Sequence, residues 1–300
     1  KGFEALGAKM TIENGMVDAK AMSLTGCLIY LDVVSVGATI NIMLAAAKAD
    51  GLTIIENAAR EPHIVDLANF LNSMGANIMG AGTGVIKIRG VKHLSGADYS
   101  IIPDQIEAGT YMAAAVATRG DILVTNVTPK HLESIIAKLR ETGAEITEFD
   151  ESVRVKMTRR PRKCNVKTMP HPGFPTDMQP QIAAVLSIAD GTSIITEGVW
   201  DSRFRYVEQL TFMGADIQVD GKMAVITGVE YLKPSPVRAV DLRAGAAMII
   251  AGLSADGTTE IEEIDHIDRG YENVVEKFSA LGADIKRVKT FDNIKALKQA

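Results

Sequence analysis

Three hundred residues, 47% of them hydrophobic, can bury one large core or, more comfortably, two. Lys and Arg number 32 against 37 Asp and Glu, a net charge of −5, which excludes the basic stripe of a nucleic-acid-binding face. Two cysteines, Cys27 and Cys164, exclude a disulfide framework and a four-cysteine zinc site, and the longest apolar stretch, residues 244–253, falls well short of the roughly 20 residues of a membrane span, so a cytosolic protein is expected.

A glycine-centred segment recurs along the chain. Gly7, Gly75, Gly143, Gly214 and Gly282 lie 68, 68, 71 and 68 residues apart, each followed by Ala. Such self-similarity marks a repeated structural unit. In chain order, residues 1–20 read as the end of an outer helix followed by two strands. Residues 38–49 read as a helix apolar nearly all round, which belongs inside. After Gly51 comes a β-rich run, Thr53-Ile54-Ile55, then an amphipathic outer helix over 64–74 that ends at Gly75, then strands including 84–88.

The pattern repeats with buried helices over 108–118, 181–189 and 244–255 and β-rich runs after Gly120, Gly191 and Gly257. Each unit therefore reads strand, buried helix, strand, outer helix, strand, strand. Four units are complete and the first is headless, so the expectation is a chain truncated or cleaved inside a longer protein.

The buried helices open on Ser35-Val36-Gly37-Ala38-Thr39, Asp104-Gln105-Ile106-Glu107, Pro175-Thr176-Asp177-Met178-Gln179 and Val240-Asp241-Leu242-Arg243. Ser, Thr and Asp suit N-caps. The same helix starts are ready anion sites, and Gly37 would let a phosphate reach the backbone. Arg243 lies in a first turn, where a cation opposes the helix dipole, which suggests that it meets an anion. Arginines also stand in the loops before the outer helices. Arg60 and Arg203 read as solvated surface residues, and Arg269 follows Asp268 in a Gly-containing turn that would fix its direction. His63, His93 and His131 read as separate surface residues, no two histidines have metal-ligand spacing, and no phosphate-loop or dinucleotide fingerprint appears.

Five stretches together resemble the UDP-N-acetylglucosamine 1-carboxyvinyltransferase family, in its order and at its spacing. They are Ser35-Val36-Gly37-Ala38-Thr39, Glu56-Asn57-Ala58-Ala59-Arg60-Glu61-Pro62, His171-Pro172-Gly173-Phe174-Pro175-Thr176-Asp177-Met178-Gln179, Asp241-Leu242-Arg243-Ala244 and His266-Ile267-Asp268-Arg269-Gly270-Tyr271-Glu272. The shikimate-pathway enolpyruvyl transferase shares the fold but not the wording of residues 171–179.

The resemblance implies an α/β fold, the inside-out α/β barrel of enolpyruvyl transferases, with two domains of repeated βαβαββ units around buried helices. Residues 1–102 would be the second half of the domain that carries the catalytic loop, and 103–300 a complete three-unit domain. It implies transfer of the enolpyruvyl group of phosphoenolpyruvate to the 3-hydroxyl of UDP-N-acetylglucosamine, the opening step of peptidoglycan synthesis, with no metal or organic cofactor. Asp177 would contact and deprotonate the sugar hydroxyl. Arg243 and Arg269 would bind the enolpyruvyl carboxylate, Ser35, Val36 and Gly37 the diphosphate, and Val199 the sugar nucleotide, with Asp241 and Leu242 as further substrate contacts.

Two departures stand out. The family's catalytic cysteine loop, the target of fosfomycin, would lie upstream of Lys1. The chain alone is therefore expected to be inactive, and the missing N-terminal segment is a candidate partner. Gln105 replaces the arginine usual in the Asp-Arg-Ile-Glu stretch. The competing expectations are a shikimate-pathway relative and a non-catalytic sugar-nucleotide-binding fragment.

Overall fold

A computed structural model describes residues 1–288. The chain divides into two compact units. Unit 1 comprises Lys1–Gln105, Lys130–Ser134 and Lys167–Thr176; unit 2 comprises Ile106–Pro129, Ile135–Val166 and the chain from Asp177 onward.

Unit 1 opens on a short helix α1 (Gly2–Ala5) and a hairpin of β1 (Lys9–Glu13) and β2 (Met16–Lys20), paired Lys9 to Lys20 through Glu13 to Met16. A whole repeat follows: β3 (Leu28–Tyr30), α2 (Val36–Ala46), β4 (Leu52–Glu56), α3 (Pro62–Ser73), β5 (Asn77–Met79) and β6 (Val85–Arg89). The four strands lie in the order β3-β4-β6-β5, the first pair parallel and the others antiparallel. One face of the sheet buries Ile29, Ile55, Ile78, Ile86 and Ile88 against Ile42 and Met43 of α2 and Ile64 and Leu71 of α3.

Pro62 begins α3, where a missing N–H costs nothing. Gly75 ends it with φ +100°, and its counterparts Gly7, Gly143, Gly214 and Gly282 all lie between +86° and +99°. That backbone conformation is open to glycine without a Cβ clash, which explains the repeated residue. Helix α2 is less enclosed than its sequence suggests: Thr39, Ile42, Met43 and Ala46 are buried, while Leu44 is 46% exposed. Only one of its faces meets the core cluster.

Unit 2 repeats the plan. Helix α4 (Gln105–Ala117) leads to β7 (Asp121–Thr125), α5 (Glu133–Glu141), β8 (Glu145–Glu148) and β9 (Ser152–Lys156), with sheet order β7-β9-β8. No strand precedes α4 among the described residues; Pro103, which has no N–H for a ladder, stands where one was expected. The next repeat is complete: β10 (Val166–Lys167), α6 (Gln179–Ser187), β11 (Thr192–Thr196), α7 (Val207–Phe212), β12 (Asp216–Asp220) and β13 (Met223–Thr227), in order β10-β11-β13-β12. Then come β14 (Val237–Arg238), α8 (Leu242–Ser254), β15 (Ile261–Glu262), α9 (Asp265–Asp268) and α10 (Val274–Ala280). Strands expected after Gly282 fall partly at 289–300, outside the described residues.

Helices α4, α6 and α8 form the interior of unit 2. Residues 108–117 of α4, all of α6 and residues 244–251 of α8 are buried, and their Ala and Gly content permits close approach. Among the described residues, no helix is long and apolar enough to cross a membrane.

Candidate functional site

The residues that gather most chemistry in unit 2 stand at the starts of α6 and α8. Asp177 lies in a single 3-10 turn, Thr176–Met178, that leads into α6. Its Oδ1 accepts from Arg203 Nη2 at 2.8 Å, and its Oδ2 accepts from Arg243 Nε at 3.2 Å and Nη2 at 3.1 Å. The arginine side chains are only 13% and 14% exposed, whereas Asp177 is 42% exposed. A half-open carboxylate is thus held between two nearly buried guanidinium groups.

Arg243 sits in the first turn of α8. Asp241 caps that helix, its Oδ1 accepting from the N–H groups of Arg243 (2.9 Å) and Ala244 (2.8 Å). An aspartate at this position offsets the dipole that a first-turn cation opposes. The anion that Arg243 meets is Asp177. Leu242, between them, packs toward Gly270, where a Cβ would come within 2.7 Å of its Cδ2. Beneath Arg243, the Tyr271 ring centroid lies 5.6 Å from its guanidinium carbon, and Nη1 donates to the Tyr271 hydroxyl at 3.3 Å. Burial pushes the Tyr271 phenol above its ordinary pKa, with Arg243 opposing the shift.

Arg203, expected on the surface, is one of the two arginines on Asp177, so that expectation is corrected: the 3-10 turn Arg203–Tyr206 after β11 turns its side chain inward. The same loop carries Val199, 40% exposed, and Trp200, 60% exposed. Both donate their backbone N–H to Glu197 Oε1 at 2.9 Å, and Glu197 itself is 2% exposed. Neither Glu197 nor Arg203 carried a sequence signal beyond its place in a repeated loop. Arg269 is exposed at the C-terminal end of α9, and no bond from its side chain to Asp177 or Arg243 occurs among the described residues. Its neighbour Asp268 instead pairs with Arg287 at 2.6 Å.

Unit 1 holds the other expected contacts. Ser35 caps α2, its Oγ accepting from Ala38 N–H at 3.2 Å, and Val36 and Gly37 form the first turn. A Cβ at Gly37 would meet nothing within 4 Å, so this helix start is open to approach. Thr39 ties the turn to the Ala58–Arg60 loop: its hydroxyl donates to Ser35 C=O at 2.8 Å and accepts from Ala59 N–H at 3.0 Å.

Two histidines that read as separate, His63 and His131, each lie near His171 in this unit. Burial lowers the pKa of both His131 and His171. His171 further lowers that of His131, and His63 that of His171, while Glu61 and Glu133 raise His171. No group of three or more His, Cys, Asp or Glu that could hold a metal occurs among the described residues. The two thiols are poor nucleophiles: burial raises the Cys27 pKa and pushes that of Cys164 to about 11.

The chain matches the EPSP synthase (3-phosphoshikimate 1-carboxyvinyltransferase) family over residues 1–278. It is 60% identical to UDP-N-acetylglucosamine 1-carboxyvinyltransferase 3 of Caldanaerobacter subterraneus subsp. tengcongensis, over 96% of this chain and 69% of the relative. It is 58% identical to UDP-N-acetylglucosamine 1-carboxyvinyltransferase of Clostridium botulinum, with the same coverage. Among solved structures it resembles the enolpyruvyl transferase NikO from Streptomyces tendae, with TM-score 0.86 and 27% identity over 96% of this chain and 71% of that one. The family-wide match and the structural likeness give the α/β enolpyruvyl transferase fold, and the much higher identities decide the branch. The chain belongs to the enolpyruvyl transferases and, within them, to the UDP-N-acetylglucosamine 1-carboxyvinyltransferases.

Proposed function

We propose that this protein transfers the enolpyruvyl group of phosphoenolpyruvate to the 3-hydroxyl of UDP-N-acetylglucosamine, with release of phosphate, in peptidoglycan synthesis. The single observation that carries the site assignment is the Asp177 carboxylate, half exposed and fixed between Arg203 and Arg243 at the starts of two buried helices. A carboxylate so aimed can take the proton of a sugar hydroxyl, and guanidinium forks suit the carboxylate and phosphate of the other substrate.

In the proposed reaction the sugar oxygen, losing its proton to Asp177, attacks C2 of phosphoenolpyruvate while C3 gains a proton. The tetrahedral adduct then loses a C3 proton and its C2–O bond to phosphate, leaving the enol ether and inorganic phosphate. Arg243 and Arg269 bind the enolpyruvyl carboxylate in this reading. Arg269, exposed at its helix end, would close on the ligand from solvent. The open start of α2 at Ser35, Val36 and Gly37 takes the diphosphate, where helix N–H groups and dipole favour an anion by about 0.3–1 kcal/mol. Val199, Asp241 and Leu242 contact the sugar nucleotide.

Trp200 is the single tryptophan of the chain and adjoins Val199, so its fluorescence reports on this loop. UDP-N-acetylglucosamine should shift the emission saturably and shikimate 3-phosphate should not. The reverse preference would move the protein to the shikimate branch. Binding of the sugar nucleotide without phosphate release from phosphoenolpyruvate would leave a sugar-nucleotide-binding protein.

A further inference from the structure

The three interior helices of unit 2 each contribute one polar side chain to a single buried network. Thr110 of α4 is 1% exposed, Gln181 of α6 is fully buried, and Arg243 of α8 joins them through Tyr271, which is 2% exposed. The proton directions are fixed by counting. The Thr110 hydroxyl donates its one proton to Ile106 C=O at 2.8 Å. The 2.9 Å contact between Thr110 Oγ1 and the Tyr271 hydroxyl must then be donated by Tyr271. With its proton committed, the Tyr271 oxygen can only accept, and it accepts from Gln181 Nε2 and Arg243 Nη1, both at 3.3 Å. Gln181 Nε2 also donates to Thr110 Oγ1 at 3.2 Å. The two hydroxyls of the network, Thr110 and Tyr271, thus have their protons placed and their lone pairs aimed, and the raised phenol pKa keeps Tyr271 protonated.

We infer that Tyr271 is a positioning residue for the reaction: anchored through Thr110 to the carbonyl of Ile106 and steadied by Gln181, it fixes the guanidinium of Arg243 in the plane in which it grips both Asp177 and the carboxylate of phosphoenolpyruvate. This rests on the proposed role of Arg243. The orientation of that fork is set from the helix core and not by Asp177 alone. A buried polar network with all hydroxyls satisfied specifies one arrangement, whereas removal of one member releases its neighbours. One feature of the network is not satisfied: Gln181 Oε1 is buried with no hydrogen-bond partner among the described residues. Replacing Gln181 by methionine therefore removes an orphaned acceptor as well as a useful donor, and should loosen Arg243 with little loss of stability.

Two variants, Tyr271→Phe and Gln181→Met, are compared with the unaltered chain and with Arg243→Lys. Phosphoenolpyruvate affinity is read by titration in the presence of UDP-N-acetylglucosamine, with Trp200 fluorescence as the signal. The guanidinium is read directly from the side-chain N–H resonances of 15N-labelled arginine, with no ligand present. Tyr271→Phe should weaken phosphoenolpyruvate binding about tenfold, the scale of one hydrogen bond to a charged group, with UDP-N-acetylglucosamine affinity unchanged. Gln181→Met should weaken it by a smaller factor in the same selective way. In both, the Arg243 resonance, identified by its loss in Arg243→Lys, should broaden as its exchange with water quickens. If Arg243→Lys itself leaves phosphoenolpyruvate binding intact, or the unaltered chain does not bind this ligand, the proposed role of Arg243 falls. If Arg243→Lys weakens binding but Tyr271→Phe and Gln181→Met alter neither affinity nor the resonance, the positioning role is overturned. An equal loss of affinity for both substrates in Tyr271→Phe would also overturn it, since a general structural defect predicts that result.

Discussion

Arg243 grips Asp177 through two N–H groups, Nε at 3.2 Å and Nη2 at 3.1 Å, and both bonds fall on the same carboxylate oxygen, Oδ2. The other oxygen is held by Arg203, so the carboxylate plane is set from two sides. Asp177→Asn keeps the shape and loses the charge and the basic oxygen. In a full-length version, turnover, followed by phosphate release, should drop at least about a hundredfold, the scale of a lost general base. UDP-N-acetylglucosamine should still bind. Stability should fall as well, because the two arginines left without their counter-charge are only 13% and 14% exposed. Near-normal turnover would remove Asp177 from the chemistry.

Arg269 makes the opposite contrast. It is exposed at the end of α9, so Arg269→Ala should leave the free energy of urea unfolding within about 0.5 kcal/mol of the parent. If it closes on the substrate carboxylate, the same change in a full-length version should raise the KM for phosphoenolpyruvate more than tenfold, the loss of a bidentate fork. A wild-type KM would reduce Arg269 to a surface residue.

The repeat was legible because it is written in backbone requirements. Gly75, Gly143, Gly214 and Gly282 each occupy a helix end with positive φ, a demand that a side chain would violate. Helix α6 was legible because a run from Ile182 to Leu186 with no polar residue can only lie inside. Asp177 and Arg243 were found through the wording of helix starts. Arg203 was missed because arginine is ordinarily solvated, and its burial depends on Asp177, 26 residues away, which no local pattern encodes. His63 is on the surface as expected, but its proximity to His171 and that of His171 to His131 was not legible, because the three come from separate segments that meet only when unit 1 folds. The missing strand before α4 shows the converse, a repeat position whose local residues, Pro103 among them, do not support the element.

Gly37 tests the open helix start without touching the core. Alanine there meets nothing within 4 Å and is the better helix former by about 1 kcal/mol, so Gly37→Ala should be as stable as the parent or more so. Its methyl would occupy the space through which a diphosphate reaches the N–H groups of α2. UDP-N-acetylglucosamine should bind several-fold more weakly, by calorimetric titration, while phosphoenolpyruvate affinity stays constant. Unchanged sugar-nucleotide affinity would place the diphosphate elsewhere.

The histidine neighbours of unit 1 make stability fall in mild acid. Burial lowers the native pKa of His131 and His171 below the unfolded value of about 6.5, so the unfolded chain takes up protons first. Stability is then lost progressively as pH drops from about 6.5 toward the depressed native values, and is unaffected by these groups above that window. Urea midpoints at about pH 7.5 and pH 5 should differ more in the parent than in a His131→Gln, His171→Gln double variant. Equal pH dependence in the two would assign acid sensitivity to other groups.

A side-chain stitch holds α6 to the strands around it. The Arg160 guanidinium donates to four backbone carbonyls: Ile188 and Ala189 at 2.9 Å, Gly228 at 3.2 Å and Val229 at 2.8 Å. The end of α6 and the chain leaving β13 are joined at that point by a side chain. They come so close because residue 228 is glycine: a Cβ there would lie 1.8 Å from Ala189 O, where no rearrangement of a side chain could relieve it. The other complete repeat has the same approach, with a Cβ at Gly90 falling 1.6 Å from Ala49 O. Arg160→Met keeps the apolar stem and orphans the carbonyls, and should cost about 2–4 kcal/mol in urea unfolding, since an unsatisfied buried acceptor costs roughly 1–3 kcal/mol. Arg160→Lys, with the charge but not the planar fork, should recover only part of that loss. Gly228→Ala should be worse than Arg160→Met, because it forces backbone from backbone instead of removing a bond. If Arg160→Met unfolds at the parent's urea concentration, water satisfies those carbonyls equally well, and the close approach at Gly228 alone holds the junction.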